Sequence, residues 1–228
     1  MSYVYVCPVQ ASELISSSIV SLHPDDNGEK ALSLMDDLRV SHLPVVRNKF
    51  YLGLISENEI LEWKSTDELI EAHLPNLMAP FVLGSQHLFD IIEILEVNSL
   101  TVVPVLNKNK KYLGAISNRK LLYTIAKSSA VQSMGGVFVL EINQNDYSMS
   151  EIARIIEDSN AKILSSYITS VPNSTKMELT IKVNKTEIDG IISDFERFEY
   201  KIMASYQESG SQEDMMQRYE SLMRYLNP

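Results

Sequence analysis

Arg119 and Lys120 stand where the sequence predicts the start of a helix. Two cations beside the free N–H groups of a first helical turn attract a phosphate. The alternative is a pair of solvated surface charges, the ordinary state of Lys and Arg. Catalytic chemistry finds less material. The histidines, His23, His42, His73 and His87, show no i,i+3 or i,i+4 spacing, and Cys7 is the only cysteine, which argues against zinc. There is no Gly-x-x-x-x-Gly-Lys loop, no Gly-x-Gly-x-x-Gly and no Gly-x-Ser-x-Gly. Asp25-Asp26 and Asp36-Asp37 read as a helix start and a solvated face, and Cys7 as a small packed residue without a base. The residues therefore point to binding rather than to an enzyme.

The elements that position these residues belong to an ordinary globular protein. Of 228 residues, 45% are hydrophobic and 22% charged, enough for one large or two modest cores and against wholesale disorder. The net charge of −10 disfavours nucleic acid, whose phosphates are bound mainly by Lys and Arg. No Lys or Arg precedes Lys30, so no secretory or transit signal is expected. No apolar run approaches the ~18 residues of a membrane span. The expectation is a soluble, cytoplasmic chain with no membrane partner.

An internal repeat decides the fold. Leu43-Pro44-Val45-Val46 returns 60 residues on as Val103-Pro104-Val105-Leu106. Tyr51-Leu52-Gly53-Leu54-Ile55-Ser56 returns 61 residues on as Tyr112-Leu113-Gly114-Ala115-Ile116-Ser117. One extra residue in the turn Asn107-Lys108-Asn109-Lys110-Lys111 explains the change of offset. Each copy reads strand, helix, strand, strand, helix. The first strands are Ile19–Leu22 and Pro80–Leu83. The first helices carry Ala31, Leu34, Met35 and Leu38, and Leu88, Ile91, Ile92 and Leu95, with Asp25 and Asp26 at the first N-terminal turn. Two such units would bury their faces against each other and leave clefts at their junction.

These motifs resemble a CBS domain, and the two copies a tandem CBS pair, the Bateman module, over about residues 9–128. The resemblance implies a regulatory module that binds an adenine nucleotide (AMP, ADP, ATP) or S-adenosylmethionine and forms dimers. In the family a hydroxyl lies near the phosphates and an Asp three residues on holds the ribose. Copy one keeps the hydroxyl as Ser56 and offers Glu59 for the carboxylate, with two acceptor oxygens for a diol. Copy two keeps Ser117 but has Lys120 in the carboxylate position, so the ribose clamp is lost there. His42, before Leu43-Pro44, matches a phosphate-facing position, whereas its counterpart Val102 does not. The resemblance thus implies a better-kept site in copy one, with adenine against Val20 and Leu22 near Pro44.

After Gly135-Gly136 the pattern changes to βαββαβ, a ferredoxin-like plan. Val137–Ile142 reads as a strand, and Ser148 or Ser150 as a cap for a helix with Ile152, Ile155 and Ile156. Ala161–Val171 follows, then alternating Met177, Leu179, Ile181 and Val183, a helix over Glu187–Phe198 and a last strand over Tyr200–Tyr206. This half resembles an ACT domain. Tyr147 stands near that family's ligand-loop glycine, which implies a dimerising rather than an amino-acid-sensing role. Met215, Met216, Tyr219, Leu222, Met223 and Leu226 have the spacing of an amphipathic helix that packs on its own domain or a dimer mate, or docks an unidentified protein. The overall expectation is an α/β (α+β) chain: CBS repeats at 9–70 and 71–130, an ACT-like domain at 135–208 and a helix at 211–228. The function expected is a non-catalytic, homodimeric regulator; the alternative is a dimerisation or partner-docking scaffold with degenerate clefts.

Overall fold

The computed structural model describes residues 10–128 and 130–207, and the chain divides into two compact units, Met1–Ser128 and Ser129–Pro228. Cys7 and the Met-rich tail lie outside the described residues.

The first unit holds both repeats. Copy one contains α1 (Gly28–Leu38), β1 (His42–Arg47), β2 (Phe50–Ser56) and α2 (Glu57–Leu61). Copy two contains β3 (Val82–Leu83), α3 (Leu88–Val97), β4 (Val102–Leu106), β5 (Tyr112–Ser117) and α4 (Asn118–Ser128). In copy two the leading strand β3 pairs in parallel with β4. In copy one the corresponding segment makes only a single parallel bridge, Leu22 to Val45. Helix α1 buries Ala31 and Met35, and its N-cap is Asn27, which accepts from the Lys30 amide at 3.0 Å. Asp26, just before this cap, pairs with Lys30 Nζ of the first turn at 2.6 Å.

The two hairpins differ at their turns as the offset requires. Copy one turns through Asn48 and Lys49, both with positive φ, the geometry of a tight two-residue hairpin. Copy two has a longer turn, in which Asn107 Oδ1 accepts from the amides of Asn109 and Lys111, each at 2.9 Å. Both hairpins shift register at the same place, so that Leu52 and Leu113 are the extra residues of equivalent bulges.

Each core is completed by chain from outside its own repeat. Ala11 and Leu14 pack with Val82, Leu88, Ile91 and Val105 of copy two. Ile70, whose amide donates to Asp26 as that of Ala11 donates to Gln86, packs with Leu22, Ala31 and Val45 of copy one. Two equivalent segments, residues 11–16 and 70–77, thus cross as straps. The motif glycines lie beneath them: a Cβ at Gly53 would meet Leu77 Cβ at 2.6 Å, and one at Gly114 would meet Ile15 Cγ2 at 2.5 Å. The repeated glycine is therefore a packing requirement for the strap.

The second unit runs β6 (Val137–Asn143), α5 (Met149–Asp158), β7 (Ile163–Ser170), β8 (Lys176–Val183), α6 (Asp189–Arg197) and β9 (Lys201–Tyr206). Its sheet has the order β7-β8-β6-β9 with every pair antiparallel, so the βαββαβ reading holds. Phe138, Leu140, Leu179 and Ile181 from the sheet meet Ile152, Ile155, Ile191 and Phe195 from the helices. Ser148 caps α5 by accepting from the Glu151 amide. On the sheet's other face Glu141 accepts from Lys176 and Lys201, which hold its carboxyl below the usual range.

Candidate ligand clefts

Ser56 and Ser117 both close their hairpins and start a helix, but their side chains have different company. Ser56 Oγ accepts from the Glu59 amide, while Glu59 Oε2 accepts from the Ser56 amide and hydroxyl, each at 2.7 Å. This reciprocal cap satisfies free N–H groups at the start of α2. It also commits one carboxylate oxygen of the residue expected to hold a diol.

The cleft beside Glu59, about 520 Å³, is lined by Glu59, Glu62, Trp63, Lys64, Glu68, His73, Asn76 and Leu77. Trp63 stacks on His73 at 3.8 Å, and His73 Nε2 lies 2.9 Å from Glu68 Oε2. Three carboxylates against one lysine make this wall unfavourable to phosphate.

The equivalent cleft in copy two, about 360 Å³, is lined by Ile15, Ser16, Ser17, Ser18, Ser117, Arg119, Lys120 and Tyr123. Ser117 Oγ accepts from the Lys120 amide at 3.3 Å, capping α4, and lies 3.2 Å from Ser16 Oγ. Two cations and four hydroxyl-bearing serines meet here with no lining carboxylate. Tyr123, half exposed, adds a flat ring with Lys127 Nζ 4.5 Å from its centre.

The expected site residues therefore separate. Ser117, Arg119 and Lys120 share one cleft, and Glu59 lines the other. Leu22, expected against adenine, is 1% exposed and sealed in the copy-one core, because its backbone bridges β1 there. Pro44 is buried, and its carbonyl accepts from the Leu22 amide at 2.8 Å. Val20 faces solvent. His42 is half buried, and its Nδ1 lies 3.0 Å from Thr101 Oγ1. Spacing at the hairpin ends points to copy one, but the cleft walls come from the straps and the later helix turns: Ser16, Ser17 and Ser18 in the copy-two cleft, Glu62, Trp63, Glu68 and His73 in the copy-one cleft. In the sequence, only the Ser16-Ser17-Ser18 run signals such a wall. Among the described residues no group of three or more His, Cys, Asp or Glu is placed to hold a metal, and no helix is long and apolar enough to cross a membrane.

Comparison with known proteins gives residues 11–66 a match to the CBS domain family. The first repeat is a CBS domain. Copy two repeats the same hairpin and bulge, with a glycine under the other strap. A relative in Methanocaldococcus jannaschii, an uncharacterized protein, is 28% identical over 163 residues. The match covers 65% of this chain but only 36% of that relative's length. Among solved structures, a CBS domain pair/ACT domain protein from Thermotoga maritima is similar with TM-score 0.45 and 13% identity, over 52% of this chain and 97% of that one. CBSX2 in complex with AMP gives TM-score 0.42 and 19% identity, over 52% and 97%.

Proposed function

We propose that the CBS pair is a regulatory module that binds a small phosphorylated ligand, an adenine nucleotide, and acts by binding rather than by catalysis. The observation that carries this reading is the copy-two cleft, which Arg119 and Lys120 line together with the Ser16–Ser117 hydroxyl pair and no carboxylate. Arg119 and Lys120 supply charge for phosphates, the serines supply hydrogen bonds, and the Tyr123 ring supplies a surface for a base. Copy one, with three carboxylates on its cleft wall, is the poorer site for such an anion. Occupation would favour one arrangement of the repeats and pass to a partner as a shift in population. Isothermal calorimetry of the full chain with AMP, ADP, ATP and S-adenosylmethionine tests it. Binding of at least one phosphorylated ligand, weakened by charge reversal at Arg119, supports the reading; no heat with any of them overturns it.

A scaffold role for the second unit has its own support. Strand β7 is a sheet edge of eight residues without a charged side chain, and Tyr167 and Ile168 are exposed on it. Such an edge invites pairing with another strand, and a homodimer of ACT-like domains is the reading that uses it. Light scattering separates a dimer from a monomer, and Ile168→Lys shifts it towards monomer if β7 is the contact.

A further inference from the structure

His42 is the residue at which the seam between the repeats departs from its internal symmetry. Its counterpart is Val102, and the counterpart of Thr101 is Ser41. Thr101 Oγ1 accepts from the Ser41 amide at 3.0 Å, so its own proton is free to point to His42 Nδ1, 3.0 Å away. The Thr101 amide also donates to Nδ1, at 3.3 Å. A backbone N–H cannot reverse its role, so Nδ1 is an acceptor and the ring proton is on Nε2. The ring thereby joins β1 of copy one to the start of β4 in copy two.

We propose that His42 is a proton-operated latch across this seam. Neutral, it accepts from the Thr101 amide; protonated at Nδ1, it loses that contact. A proton on Nδ1 turns the acceptor into a donor aimed at a donor, and leaves the half-buried Thr101 N–H without its partner. The charged groups on the neighbouring elements are Glu57 and Glu59 on α2, and Arg119 and Lys120 on α4, whose first amide donates to the Thr101 carbonyl. Of these, Glu59 is the one whose charge acts on the ring, favouring the protonated form against the stronger effect of burial. Because Glu59 also lines the copy-one cleft, the latch links the state of the seam to that cleft. This inference does not depend on which ligand the pair binds.

Nuclear magnetic resonance of the histidine rings in the full chain, titrated with acid, tests the latch. The signal lost in His42→Val identifies the residue. The expected result is an Nε2–H tautomer at pH 7.5, a titration midpoint below 6.5, and loss of Thr101 amide protection factor through the same midpoint. Glu59→Gln moves the midpoint lower, and His42→Val leaves Thr101 poorly protected at every pH. An Nδ1–H tautomer, a midpoint at or above 6.5, or Thr101 protection unchanged through the titration overturns the proposal.

Discussion

Ser16 Oγ lies 3.2 Å from Ser117 Oγ, joining hydroxyls 101 positions apart in the chain. The Ser117 amide also donates to Ser16 Oγ at 3.2 Å, so the strap, the end of β5 and the first turn of α4 meet in one buried polar knot. Ser117→Ala removes the α4 cap and one member of this pair. A loss of about 1–2 kcal/mol is expected in urea unfolding; a change within about 0.5 kcal/mol, the usual size of a surface substitution, would show the knot to be unimportant.

Gly114 has a positive φ of 154° and supports the Ile15 side chain. A methyl group there must displace the strap. Gly114→Ala is expected to cost about 1–3 kcal/mol through overpacking, with added backbone strain. Gly190, where a Cβ meets nothing within 4 Å, is the control, and Gly190→Ala is expected to be neutral or slightly stabilising in the same thermal melts.

The clefts carry opposite charge, so paired substitutions distinguish them. Arg119→Glu with Lys120→Glu is expected to weaken nucleotide binding at least tenfold and to flatten its salt dependence, whereas Glu62→Gln is expected to leave it unchanged or tighter. Calorimetry at two salt concentrations reads both. A loss of affinity confined to the Glu62 variant would place the ligand in copy one instead.

Stability is expected to fall with acid through His42. Burial holds its folded-state pKa below the ordinary 6.5, with Glu59 opposing in part. The unfolded chain therefore takes up the proton first as pH drops. The contribution is complete above 6.5 and is lost as pH falls through the window between the unfolded and folded values. Melting temperatures of the native chain and His42→Val, measured from pH 7.5 to 5, are expected to converge towards the acid end. Parallel curves would remove His42 from the account.

Much of this fold could be read in the residues. The repeat of Tyr-Leu-Gly fixed both hairpins, down to the longer turn at Asn107, because hairpin geometry is local. The alternation of Met177, Leu179, Ile181 and Val183 gave a strand whose four side chains are buried, since a half-covered sheet imposes a period of two. The clefts were less legible. Ser16 and Ser117 are close only because a strap crosses to the other repeat, and no local pattern announces that crossing. Glu59 matched a ligand position, but Ser56-x-x-Glu59 is also the spacing of a capping box, and spacing alone does not choose between the two uses of the carboxylate. Thr101 gave no sign of its bond to His42, which exists only once the two hairpins are side by side.

The crossed straps also bear on how such a chain could arise or be divided. A polypeptide with the hairpin and helices of one repeat, but no strap from a neighbour, leaves the groove over its motif glycine open and its interior wet. Only a twin laid alongside, each inserting its leading segment into the other, seals both. Tandem duplication turns that exchange between separate molecules into a permanent feature of one chain, and it makes the halves poor candidates for separate expression.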